Sequence, residues 1–164
     1  GLTDLNSCSI GIEIVNRGHE FGYENFPPEQ IATVIALCKD LVGRYGIRAD
    51  RIVGHSDIAP GRKIDPGERF PWEALARAGI GLWPAASPMD LEAAEELASN
   101  IDVVFELLVC LGYNPMVDLE ILTREFHRHF MPQRFEGGAD PSKADAATCA
   151  ALLSLLRQKN ALVG

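Results

Sequence analysis

The sequence predicts an α/β unit over residues 1–83, a mixed sheet with packed helices, followed by a small all-α bundle of three to four helices over 84–164. Three observations carry this. Ile10, Ile12 and Ile14 alternate along Ser9–Asn16 with the two-residue period of a strand. Ile31, Val34, Ile35, Cys38, Leu41, Val42 and Tyr45 then recur with the 3.6-residue period of an amphipathic helix. Beyond Pro84-Ala-Ala-Ser-Pro88 every apolar stripe is helical.

Taken in order, the first strand carries Glu13 on the face opposite the isoleucines. A charge in a sheet is solvated, paired or used, and a solvated sheet face is sufficient on its own to explain this one. The helix that follows has Pro27-Pro28 at its entry and Gly46 at its end, where a left-handed residue costs glycine least. A short strand, Arg51 to Gly54, completes strand, helix, strand. From His55 to Phe70 the chain is too rich in Pro, Gly and charge for regular structure, and a long loop within a domain is more often functional than not. A short helix from Trp72 to Arg77 and a turn at Gly79 close the unit. In the second half the stripes are Leu91/Ala94/Leu97, Val104/Leu107/Leu108/Leu111 before Gly112, Leu119/Leu122/Phe126/Phe130 before Pro132, and Ala147/Leu152/Leu155/Leu156.

A net charge of −8 over 164 residues argues against nucleic acid or an anionic membrane as partner. The acidity is concentrated: residues 1–83 hold nine Lys/Arg against eleven Asp/Glu, and residues 84–164 hold six against twelve. No apolar run approaches the ~20 residues that span a bilayer. Cys8, Cys38, Cys110 and Cys149 have no metal-binding spacing and are expected to be buried free thiols.

The chemistry gathers in the long loop. His55 directly follows a predicted strand, Asp65 returns ten residues later beyond the Pro60-Gly61 bend, and Arg62 and Lys63 bring cations beside it. His and Asp are both donors that suit zinc, although a catalytic zinc takes about three protein ligands and this segment offers two. Turn-capping by Asp57 and Asp65 beside a merely polar His55 accounts equally well for the spacing. A cation next to such a site can stabilise the oxyanion formed when water attacks an amide.

Two motifs, Ser9-Ile-Gly-Ile-Glu-Ile-Val-Asn16 and Gly54-His-Ser-Asp-Ile-Ala-Pro-Gly-Arg-Lys-Ile-Asp-Pro-Gly67, resemble the amidase_2 family over residues 4–83. The resemblance implies zinc-dependent cleavage of the amide between N-acetylmuramic acid and L-alanine in peptidoglycan or muropeptides. It implies His55 and Asp65 as zinc ligands, Glu13 as the carboxylate that activates the attacking water, and Lys63 as the cation facing the tetrahedral intermediate. The family pattern places a further zinc-binding His upstream of the first motif, so the resemblance is to an amidase that begins late and is inactive alone. His19 is a minor candidate to complete the set. His127 and His129 are two apart on a helix and point to different faces, so they do not chelate one ion together.

Leu107 to Tyr113, Phe126-His-Arg-His-Phe130, Gly138-Ala-Asp140 and Thr148 to Leu152 resemble, more weakly, a three-helix peptidoglycan-binding domain. A purely structural bundle is the other reading of the same residues. An amidase joined to such a module resembles the envelope-attached, periplasmic amidases. A non-catalytic wall-binding remnant is the competing function.

Overall fold

Gly46 shows how directly parts of the chain follow its sequence. Helix α1, Pro28–Tyr45, starts on a proline and stops where Gly46 turns left-handed at φ 62° and donates its N–H to the Val42 carbonyl. The computed structural model describes residues 4–138 and 140–163; residues 1–3, Ala139, within the Gly138-Ala-Asp140 motif, and Gly164 lie outside them. Six more α-helices follow: α2 His55–Ile58, α3 Trp72–Arg77, α4 Pro88–Leu97, α5 Ile101–Leu111, α6 Leu119–Phe130 and α7 Ala146–Ala161. Short 3₁₀ turns lie at Leu5–Ser7, His19–Phe21, Ala49–Arg51 and Pro132–Phe135.

The expected mixed sheet is not formed: among the described residues there is no β-strand. Alternation gives a segment an extended shape, but a strand also needs a neighbour to exchange backbone hydrogen bonds with. Ser9 to Arg17 is held instead by side chains. Gln30 Nε2 donates to the Val15 carbonyl at 2.7 Å, and Asn16 Nδ2 donates to the Glu24 carbonyl at 3.0 Å. Ile14 packs against the first core while Ile10, Ile12 and Val15 stay exposed. The second expected strand is likewise corrected: Ala49–Arg51 is a 3₁₀ turn, and Ile52 and Gly54 are extended without a ladder. Glu13 therefore does not stand on a strand beside the one that leads to His55. The loop after Gly54 is more regular than expected, opening with the turn of α2.

Two apolar clusters hold the chain. One gathers Phe26, Ile31, Val34, Phe70, Trp72, Leu75 and Ile80 around α1 and α3. The other gathers Val104, Leu108, Leu122, Phe126, Cys149, Leu152 and Leu155 from α5, α6 and α7, with Ala94 of α4. Each fully buried leucine or phenylalanine there contributes about 1.5–3 kcal/mol. The expected stripes are largely kept, but Leu91 and Ala147 face solvent because α4 and α7 pack on Ala94 and on Cys149 and Leu152 instead. All four cysteines are free, yet only Cys149 is buried; Cys8 and Cys110 are exposed.

The two clusters are not separate bodies. Trp83 packs against both. Its carbonyl accepts from Gln158 Nε2 at 2.9 Å, and the Ala85 N–H donates to the Ser154 hydroxyl at 2.9 Å, so α7 fastens the proline-bounded link at two points. Ser87 caps α4 by accepting from the Asp90 N–H, while the Asp90 carboxylate accepts from the Ser87 N–H and from Arg157. Those donors, Arg157 first, hold the Asp90 carboxyl down at about 2. Aromatic rings run across the seam in edge, stacked or tilted contact, Tyr23 to Phe26 to Phe70 to Trp72 to His129 to Phe130 to Phe126.

Candidate metal centre

Helix α2 begins at His55 because Asp57, at its third position, reaches back to the Gly54 N–H at 2.6 Å. Gly54 has to be small: a Cβ there would lie 3.2 Å from Asp57 Oδ2 and 3.3 Å from the Trp72 ring. The Ser56 N–H then donates to the Asp65 carbonyl at 3.0 Å, which closes the loop on itself. Closure brings His55 Nδ1 to 3.0 Å from Asp65 Oδ2. Both side chains remain open to solvent, 45% and 61% exposed, so an ion could reach them from outside. The Arg62 and Lys63 N–H groups donate to the Ala59 carbonyl and set the bend between the two. The Lys63 side chain is exposed and makes no hydrogen bond or ion pair with another described residue.

The loop leaves through the cis Asp65–Pro66 peptide and Gly67, whose φ is +89°. A methyl group on Gly67 would overlap the Tyr23 hydroxyl and come within 2.9 Å of the His19 ring. The Tyr23 hydroxyl donates to the Pro66 carbonyl at 2.9 Å and accepts from the Arg69 N–H at 2.8 Å. Burial, opposed by the Arg69 N–H, pushes that hydroxyl up to about 12, so it stays a donor.

His55 and Asp65 are thus brought together, and their imidazole and carboxylate are a fitting pair of zinc donors. Among the described residues no group of three His, Cys, Asp or Glu side chains is arranged to hold a metal, so His55 and Asp65 do not by themselves make a closed site. Glu13 is exposed on a segment without regular structure, in no such group with the pair. His19 goes elsewhere: its Nε2 lies 2.9 Å from Glu68 Oε1 and its ring rests on Tyr23 at 4.2 Å. His127 and His129 do point apart. His127 turns into the bundle, donating to the Pro141 carbonyl at 2.7 Å and meeting the Thr148 hydroxyl at 2.9 Å. His129 turns to the loop, its Nδ1 2.7 Å from Asp57 Oδ2.

Sequence reasoning missed that second-half side chains reach the loop. Tyr113 donates its hydroxyl to Asp57 Oδ1 at 2.7 Å, and burial beside that carboxylate pushes the hydroxyl well up. Arg128 bonds Glu68 with one nitrogen and donates to Glu125 at 2.8 Å with another. A signal was present in the stripe of α6, where Glu125, Arg128 and His129 interleave with Leu122, Phe126 and Phe130 and are buried with them.

Residues 1–68 match the model of the Amidase_2 family, N-acetylmuramoyl-L-alanine amidase. The chain is 39% identical over 153 residues to N-acetylmuramoyl-L-alanine amidase AmiD of Escherichia coli K12, an alignment covering 85% of this chain and 55% of that protein. To 1,6-anhydro-N-acetylmuramyl-L-alanine amidase AmpD of Enterobacter cloacae it is 45% identical over 74 residues, 44% of this chain and 36% of that one. The chain therefore spans about half or less of the length of these relatives. Among solved structures, E. coli AmiD in complex with anhydro-N-acetylmuramic acid-L-Ala-D-gamma-Glu-L-Lys superposes with a TM-score of 0.80 at 35% identity, covering 96% of this chain and 65% of that one. AMPDH3 from Pseudomonas aeruginosa gives a TM-score of 0.80 at 33% identity, with the same coverage. At 96% coverage the likeness extends through the helical second half.

Proposed function

We propose that the protein hydrolyses the amide between N-acetylmuramic acid and L-alanine in peptidoglycan or its muropeptide fragments, with zinc. The observation that carries the reading is the pairing of His55 with Asp65 at 3.0 Å inside a segment that matches an amidase family model. The relative solved with an anhydromuramyl peptide supports the substrate class.

In this reading His55 and Asp65 are two of the ligands, and zinc supplies Lewis-acid polarisation to the attacking water and the amide carbonyl. Glu13 takes the proton from the water as it adds and returns it to the departing amine. Lys63 offsets the negative charge on the carbonyl oxygen. The roles of Glu13 and Lys63 are supported by their positions in the two motifs. The helical second half docks the protein on peptidoglycan in the bacterial envelope, a reading supported by the resemblance of its motifs to a three-helix peptidoglycan-binding domain.

Metal content and amide cleavage test this together. The full-length protein should hold one zinc per chain, and His55→Ala or Asp65→Ala in it should lower both metal content and release of L-alanyl peptide from an anhydromuramyl peptide. Wild-type zinc content in both variants, by elemental analysis, would sink the ligand assignment.

A further inference from the structure

The ligand-bearing loop has little order of its own. Its regular structure is the single turn of α2, and His55 and Asp65 stand largely in solvent. A segment of this kind stays in one conformation only if contacts elsewhere offset the entropy of fixing it. Beside the bonds that Tyr23 and His19 make at its exit, such contacts come from the second half of the chain, and they fall at both ends of the loop.

At the start, Asp57 lies two residues beyond His55. Its carboxylate accepts from the Gly54 N–H at 2.6 Å, from the Tyr113 hydroxyl at 2.7 Å and from His129 Nδ1 at 2.7 Å. A carboxylate with three such donors has a fixed orientation. At the end, Glu68 lies three residues beyond Asp65 and is held by Arg128 and by His19. Arg128 is itself fixed by Glu125, which is 1% exposed, and by the face of the Phe135 ring, 4.7 Å from its guanidinium. In the middle, Gly61 sits over Ile121 of α6, so close that a Cβ would approach Ile121 Cγ2 to 3.1 Å.

We propose that Tyr113, His129 and Arg128 are positioning residues for the site: the helical unit grips Asp57 and Glu68 and so orders the loop that sets His55 against Asp65. The second half then acts on the chemistry through the loop, in addition to any docking. Only the metal part of this inference rests on His55 and Asp65 being ligands.

Two conservative variants of the whole chain test it, Tyr113→Phe and Glu68→Gln, with Lys143→Ala on the exposed surface as the control. Hydrogen exchange at the Ser56, Ala59 and Lys63 amides should quicken at least about tenfold in the two variants and not in the control, while α5 and α7 keep wild-type protection. Cobalt(II), titrated against a chromophoric competitor, should bind about tenfold more weakly, the usual effect of losing an outer-shell partner. Wild-type exchange in the loop overturns the proposal whatever the metal does. A loosened loop with undiminished cobalt affinity, where His55→Ala abolishes binding, overturns the positioning role. A loosened loop where His55→Ala binds cobalt as wild type does leaves the grip standing and removes the ligand reading instead.

Discussion

The imidazole of His129 lies against the indole of Trp72, ring centroids 3.9 Å apart and planes 22° from parallel. The same imidazole stacks on Phe130 at 3.8 Å, so one side chain joins the aromatic core of the first unit to that of the second. Removing it costs both ring contacts and one donor to the buried Asp57 carboxylate. His129→Ala should therefore lower the unfolding free energy by about 2 kcal/mol. Urea denaturation followed by tryptophan fluorescence reads this, and an unchanged midpoint would mean that the ring run does not couple the two cores.

Gly67→Ala should damage the loop specifically. The new methyl group would strain a backbone at φ +89° and collide with Tyr23 and His19 together. A melting temperature lowered by several degrees and a loss of Tyr23-dependent protection at the Arg69 amide are the expected outcomes. Wild-type behaviour in both measurements would show that the Tyr23 ring moves aside freely.

Buried His127 should give the bundle a pH dependence whose sign follows from its surroundings. Burial lowers its pKa below 6.5, and Arg134 opposes protonation further, while the Pro141 carbonyl and Asp145 act the other way. The unfolded chain thus takes up this proton at a higher pH than the folded one. Its contribution to stability is complete above about 6.5 and is lost as the pH falls from there through the lowered folded value. Unfolding free energies at pH 7.5 and 5.5 should differ more in the wild type than in His127→Gln; equal slopes would refute the assignment.

For the proposed reaction, Glu13→Gln and Lys63→Ala should each keep the metal and lose turnover by roughly a hundredfold or more. Steady-state release of L-alanyl peptide, measured beside zinc content, separates this from loss of the site. Near-normal rates would return Glu13 to being a solvated charge.

Local signals in the sequence were good guides where the physics is local. Pro28 and Gly46 bound α1, and Gly112 and Pro132 stop α5 and α6, because caps and breakers act within a turn. The return of Asp65 toward His55 was legible in part from the Pro60-Gly61 bend, whereas the Ser56 to Asp65 bond that closes the loop was not. Pairing was not legible. The alternation of Ile10, Ile12 and Ile14 describes a shape, and whether that shape joins a sheet depends on a neighbour the segment does not encode. The grip on Asp57 and Glu68 was hidden for the same reason: its partners lie between 56 and 72 residues away along the chain.

The link that the sequence marks with Pro84 and Pro88 invites the picture of a tether, along which two units would drift within a radius set by its length. With Trp83 in both cores and α7 holding the Trp83 carbonyl and the Ala85 N–H, the link behaves as a weld. A tethered pair sweeps a volume, whereas a welded pair traces one arc. Any surface on which the helical unit comes to rest would meet the 55–68 loop at a single height and angle, as a gauge block sets the depth of a cut.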